Sequence, residues 1–239
     1  MDIALVFDID GTLVDVRESY KEAIVQTILH IREGTDPDRI RAIMEDIKGI
    51  SNLNNDWDGT YYILEMLEGR EPAVIRNEKW KNIQKIFQSI YLGKDLYIRS
   101  YGENPPLKFK KGLIENERLL ISESVLEKIK DIPKGIVTSR LRLEAEYILD
   151  KTILSKYFDK KNIIALDDVV HEKPNPEPLL KMKEKLPAKK HYYIGDTIDD
   201  AMAAKRAEYT SIIIKENWGD MTIPNINSLP NALNLSCNK

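Results

Sequence analysis

One cysteine, Cys237, is all the thiol chemistry this sequence contains, so no internal disulfide can form. A disulfide-stapled scaffold is excluded, and a reducing compartment fits. Nor is there a basic excess. The formal charge is −3 and the pI is near 5.8, which argues against the positive footprint of a nucleic-acid binder. No apolar run approaches the length of a membrane span. The opening Met1-Asp2 leads directly into a short apolar stretch, without the basic region and cleavage site of a secretory leader. A soluble cytoplasmic protein with no membrane partner is expected. His30, His171 and His191 lack metal-ligand spacing, and there are no internal repeats or low-complexity segments. Charged residues of both signs are interspersed, as on a solvated surface.

The 239 residues are enough for a substantial core in one or two domains. Several short apolar runs rich in β-branched residues each end in a polar residue. Ile3 to Phe7 ends at Asp8, Gly135 to Val137 at Thr138, Asn162 to Leu166 at Asp167-Asp168, and Tyr192 to Ile194 at Gly195-Asp196. Ser211 to Ile214 forms a fifth. Apolar runs without alternation suit parallel strands covered on both faces. Helix-period stretches over 143–154, 178–186 and 199–207 separate the later runs, so an α/β fold with a doubly wound parallel sheet is expected. In such sheets ligands gather beyond the carboxyl ends of the strands.

The first interval breaks this rhythm, because far more chain separates Asp8 from Thr138 than one crossover helix needs. Helical periodicity over 18–31, 38–47, 59–68 and 77–92 predicts an inserted helical domain, residues 16–106. Residues 1–15 and 107–239 then form the core, re-entered through a helix over 117–130.

Asp8-Ile9-Asp10-Gly11-Thr12 places two carboxylates where the chain leaves a strand, so both can share one cleft. Gly11 allows a tight turn whose N–H groups can hold an anion. One carboxylate can attack phosphorus while the other handles protons; an ordinary acidic turn closing a strand would look the same. Gly195-Asp196-Thr197-Ile198-Asp199-Asp200 repeats the pattern at another strand end. Asp8 and Asp196 offer the few hard oxygen ligands that suit Mg²⁺, and Asp199 is expected to cap the following helix. Lys173, in a stiff proline-rich loop, can neutralise these carboxylates, although a surface lysine would fit such a loop equally. Thr138-Ser139-Arg140 offers hydroxyls and N–H groups to a phosphoryl group. Asp167-Asp168 is assigned to the loop leading to Lys173. His171 is taken as a loop residue, and Trp57, Trp80 and Trp218 as packing residues.

In sequence order these four segments resemble the four motifs of the haloacid dehalogenase superfamily. The long interval between the first two resembles its subfamily I, whose helical cap is inserted there. The resemblance implies a Rossmann-like core and assigns Asp8 as nucleophile, Asp10 as general acid/base and Thr138 as phosphate ligand. By the same resemblance Lys173 orients nucleophile and phosphate. Asp196 binds Mg²⁺ with Asp8 and the backbone carbonyl of Asp10, and Asp200 supports the metal site from behind. Gly11 and Ser139 join the phosphate-binding set. Dehalogenases of the superfamily lack an acid at the position of Asp10, and the P-type ATPases that resemble it carry threonine there. Phosphatases and phosphomutases carry aspartate, because a leaving alkoxide needs a proton.

The implied activity is Mg²⁺-dependent hydrolysis of a small phosphorylated metabolite through a phospho-aspartate. A sugar phosphomutase shares every core residue, and a non-catalytic binding protein could retain the fold. In the insert, Ile47-Lys48-Gly49-Ile50-Ser51-Asn52 resembles the family's cap loop, and Asn54-Asn55-Asp56-Trp57 follows it. Lys48, Ser51, Asn52 and Asn55 are therefore candidates for substrate specificity, while a loop and helix cap would equally use these asparagines. With Thr138 to Arg142, these segments resemble a small branch of which some members are associated with imidazoleglycerol-phosphate dehydratase. That resemblance makes histidinol phosphate a substrate to test.

Overall fold

The computed structural model describes residues 2–47, 50–51, 53 and 55–235. These divide into two compact units, residues 1–15 with 118–239 and residues 16–117. The first is built on a six-stranded parallel sheet. Its strands are β1 (Ile3–Phe7), β4 (Lys134–Val137), β5 (Ile163–Ile164), β6 (Lys190–Gly195), β7 (Thr210–Ile214) and β8 (Met221–Ile223). Their spatial order is β5-β4-β1-β6-β7-β8, every pairing parallel. The helices α5 (Glu123–Lys128), α6 (Arg142–Lys151), α7 (Glu177–Lys185), α8 (Ile198–Arg206) and α9 (Leu229–Ala232) accompany it.

β1 is central because Ala4, Leu5, Val6 and Phe7 are completely buried. Removing each of the larger three from water stabilises the fold by roughly 1.5–3 kcal/mol. The register sets Phe7 beside Ile136 of β4 and Ile194 of β6. The residues that follow each strand therefore meet at one edge of the sheet. The chain winds from β1 through β4 to β5 on one side, then continues through β6, β7 and β8 on the other. β1 thus lies where the winding direction changes, the usual place for a ligand crevice.

Two details differ from the sequence expectation in this unit. The expected helix over 117–130 is only α5, preceded by β3 (Arg118–Leu119), which pairs antiparallel with β2 (Val14–Asp15). Ser122 stands at the start of α5, and a short ribbon takes the place of the missing turns. β8 was not foreseen. It is a three-residue edge strand in which only Ile223 is buried, too short to carry a periodic signal.

The second unit holds α1 (Tyr20–Ile31), α2 (Pro37–Asp46), α3 (Asp56–Leu67) and α4 (Glu78–Tyr101). α4 runs nine residues past the expected end at Leu92, interrupted by a non-helical Gly93. Tyr20 stacks on Tyr91 with ring centroids 4.1 Å apart, and Trp57 meets Trp80 edge-on at 5.7 Å, so these two tryptophans are packing residues. The unit closes at Glu117, not at Pro106, because the intervening segment is tied into it. Lys94 N–H donates to the Phe109 carbonyl, and the Glu117 carboxylate accepts from Ser19 and Tyr91 hydroxyls. Among the described residues, no helix is long and apolar enough to cross a membrane.

Candidate active site

Asp8 follows β1 directly, and its N–H still donates to the Ile194 carbonyl of β6. The Asp8 side chain is only 4% exposed. Lys173 reaches it from the loop before α7, with Nζ 3.0 Å from Asp8 Oδ1 and 2.6 Å from Asp200 Oδ1. The same ammonium donates to the Tyr193 hydroxyl at 2.9 Å. Asp8, Asp196 and Asp200 each bring a carboxylate oxygen within 4.8 Å of the others. The segments at the ends of β1 and β6 and the proline-rich loop thus converge.

The turn after β6 explains how Asp200 is held. Thr197 caps α8 and accepts from the Asp200 N–H, while Asp200 Oδ2 accepts from the N–H groups of Asp196 and Thr197 and from the Thr197 hydroxyl. This reciprocal capping box corrects the expectation for Asp199. Asp199 lies buried in the first turn of α8, and the cap is Thr197. With Lys173 and Tyr193 donating to Oδ1, both carboxylate oxygens of Asp200 are engaged in hydrogen bonds. Gly195 is required there, since a Cβ would lie 2.5 Å from the Asp200 carboxylate.

Electrostatics separate the carboxylates. Burial pushes the Asp8 carboxyl up to about 7; Lys173 opposes the rise, and Asp200 and Asp10 add to it. Burial likewise holds Asp196 well above the usual carboxylate range, reinforced by Asp200 and Asp8. Asp200 is also penalised by burial, yet Lys173 and Thr197 outweigh that and lower it. One lysine therefore faces two carboxylates with opposite outcomes. It is nearer Asp200, and only Asp200 has the extra Thr197 donors. Burial disfavours the ammonium too, but Asp200 and Asp8 overcome this and hold Lys173 firmly charged.

The donor set fits a small divalent cation. Asp196 Oδ1 is buried and makes no hydrogen bond, an arrangement that is costly unless a cation or water meets it. Hard, partly neutralised oxygen ligands of this kind suit Mg²⁺. Gly11 has φ +68°, and a Cβ there would sit 2.0 Å from Asp196 Oδ2. Its role differs from the expected one. The Gly11 N–H donates to the Val14 carbonyl at 2.9 Å and is committed to the loop, so Gly11 contributes by letting Asp196 approach.

The remaining candidates divide. Thr138 is buried after β4, its hydroxyl accepting from the Arg140 N–H at 3.2 Å, and Ser139 is half-buried beside it. Asp10 is gripped by Arg140, whose Nη2 lies 2.5 Å from Oδ1. Asp167 Oδ1 accepts from the Arg142 N–H, and Asp168 pairs with the Arg142 guanidinium, so this acidic pair braces the start of α6. His171 is exposed and pairs with Glu177. Asn55 caps α3, its Oδ1 accepting from the Trp57 N–H at 3.0 Å, and Ser51 is half-buried in the same unit. Lys48 and Asn52 lie outside the described residues. Arg140 and Tyr193 were not singled out from sequence. The signal for Arg140 was its place two residues after Thr138; Tyr193 was hidden inside an apolar run.

A model of the haloacid dehalogenase-like hydrolase family matches residues 4–208. The chain belongs to this family. Its parallel sheet with flanking helices is the family's Rossmann-like core. The chain is 33% identical over 217 residues to the pyrophosphatase PpaX of Bacillus mycoides (strain KBAB4), spanning 88% of this chain and 82% of that protein. It is 28% identical over 210 residues to an imidazoleglycerol-phosphate dehydratase of Phytophthora nicotianae, spanning 85% of this chain but only 41% of that protein. Among solved structures, phosphatase Tt82 from Thermococcus thioreducens is similar, with TM-score 0.66 and 25% identity over 97% of this chain and 99% of that one.

Proposed function

We propose that this protein is a Mg²⁺-dependent phosphatase that moves the phosphoryl group of a small phosphomonoester to Asp8 and then to water. The observation that carries the reading is the buried Asp8 carboxylate, held by Lys173 beside the unpartnered oxygen of Asp196. In the first step an Asp8 oxygen forms a bond to phosphorus and the ester P–O bond breaks. Asp10 gives its proton to the departing oxygen. In the second step Asp10 takes a proton from water as that water attacks the phospho-aspartate, which releases inorganic phosphate and restores Asp8. Lys173 orients Asp8 and balances phosphate charge, and Thr138 and Ser139 supply hydroxyl donors to the phosphoryl oxygens. Asp8, Asp196 and the Asp10 carbonyl would hold Mg²⁺, which supplies the positive charge that keeps the carboxylates ionised and neutralises the phosphoryl group. Asp200 fixes Lys173 and the Asp196 turn.

The test is phosphate release with Mg²⁺ from a panel of phosphorylated metabolites. Inorganic pyrophosphate belongs in it because of the likeness to PpaX, and histidinol phosphate because of the likeness to a dehydratase-named protein. Release of phosphate from at least one member, abolished by chelation, is the expected result. Conversion of a sugar phosphate to its isomer without phosphate release would favour a phosphomutase. Binding without either product would leave a non-catalytic protein.

A further inference from the structure

Asp10 follows β1 by three residues and is the acid/base of the reading above, on which this inference rests. Its side chain is 29% exposed, so the turn alone does not hold its carboxylate in one orientation. The restraint comes from Arg140, whose side chain is only 1% exposed. Arg140 Nε donates to Asp10 Oδ1 at 3.0 Å and to Oδ2 at 3.1 Å, and Nη2 donates to Oδ1 at 2.5 Å. A guanidinium stays charged when buried, so it requires such a partner, and its planar fork constrains the angle of a carboxylate as well as its position. An exposed ion pair would contribute little; here the cation is sealed in.

The base of this fork is itself anchored. The Arg140 N–H donates to the Thr138 hydroxyl, and the Arg140 carbonyl accepts from the Leu166 N–H at 2.9 Å. Arg140 thus registers Asp10 to the loop that carries Thr138, the proposed phosphate ligand. The two carboxylate oxygens are held unequally. Oδ1 takes two contacts, including the shortest, while Oδ2 takes one of 3.1 Å. We infer that Arg140 is the positioning residue for proton transfer, clamping Asp10 through Oδ1 so that Oδ2 carries the proton to the leaving oxygen and takes one back from the attacking water.

A merely structural arginine and a positioning one differ in leaving-group dependence. Single-turnover phosphoryl transfer with Mg²⁺ is followed for Arg140→Gln, Arg140→Lys, Asp10→Asn and the double variant Asp10→Asn/Arg140→Gln. The substrates are phenyl phosphate, whose leaving oxygen needs protonation, and p-nitrophenyl phosphate, whose leaving oxygen needs less. Arg140→Gln should slow transfer from phenyl phosphate about tenfold or more, and from p-nitrophenyl phosphate less than about threefold. Arg140→Lys keeps the charge without the fork and should recover the rate only in part. The double variant should be no slower than Asp10→Asn alone, because the two residues act as one unit. Circular dichroism checks the fold, and if Arg140→Gln does not fold, Arg140→Lys carries the same two-substrate comparison.

Equal losses on both substrates, full recovery with lysine, or losses that multiply in the double variant would overturn the inference. A folded wild-type chain that releases no phosphate from any phosphomonoester overturns the phosphatase reading and this role together. Wild-type turnover with leaving-group-independent losses overturns only the role of Arg140.

Discussion

Replacing Lys173 with methionine tests whether one buried cation holds the acidic centre together. Its side chain is 1% exposed, with Nζ 2.6 Å from Asp200 and 3.0 Å from Asp8, and methionine keeps an unbranched stem without the charge. At an effective dielectric near 20, opposite charges about 3 Å apart attract by roughly 5 kcal/mol before desolvation. Burying the ammonium cancels part of that, and removing one partner from a buried pair typically costs about 3–5 kcal/mol.

The cost must depend on pH, and the sign follows from Asp8. Its value rises from an ordinary 3.8 to about 7 on folding even with Lys173 present, and without the cation both Asp8 and Asp200 move higher. A carboxyl raised by folding binds its proton in the native state. Its contribution is therefore fully favourable below its unfolded value and is lost as pH rises through the folded one. The destabilisation by Lys173→Met should thus be smaller near pH 5 than near pH 8.5, by about 2 kcal/mol at roughly 1.4 kcal/mol per tenfold change in proton affinity. Urea unfolding followed by far-UV circular dichroism, with separate transitions fitted for the two units, would read this as a midpoint difference of about 1 M. A loss that is the same at both pH values would mean that the lysine acts through its stem and not its charge.

Asp8→Asn is nearly isosteric and should leave the circular dichroism spectrum unchanged while removing phosphate release, because an amide is a poor nucleophile; turnover in the folded variant would refute the assignment. Mg²⁺ should raise the melting temperature of the wild-type chain more at about pH 8 than at about pH 6, since protons on the raised Asp8 and Asp196 carboxyls compete with the cation. A pH-independent shift in scanning fluorimetry would place the metal elsewhere. Gly11→Ala should weaken that Mg²⁺-dependent shift strongly, because the new methyl would meet Asp196 Oδ2 and the residue has positive φ. An unchanged shift would separate Gly11 from the cation site.

The amino-acid order by itself determined the parallel sheet. Strands buried on both faces must be apolar throughout, so Ile3 to Phe7, Gly135 to Val137, Tyr192 to Ile194 and Ser211 to Ile214 stand out, and the polar residues after the first three mark the functional edge. Asp8, Asp196 and Asp200 were legible from those strand ends and Lys173 from its proline-rich loop, and the fold brings the four together. Elements held by pairing alone were not legible. β3 and β8 are two and three residues long, and each exists only because a neighbouring strand supplies its hydrogen bonds.

The tertiary structure alone decided which polar groups touch. Arg140 looks like a loop arginine until the β4 loop brings it against Asp10, 130 positions away in the chain. Tyr193 looks like one more apolar strand residue until the loop before α7 brings Lys173 to its hydroxyl. Gly11 looks like an anion-binding amide until Val14 takes its N–H and Asp196 fills the space beside it. Periodicity along a chain reports which faces are buried, because burial repeats with the geometry of the element. Contacts between chemical groups at opposite ends of the sequence have no such repeat, and folding alone brings them together.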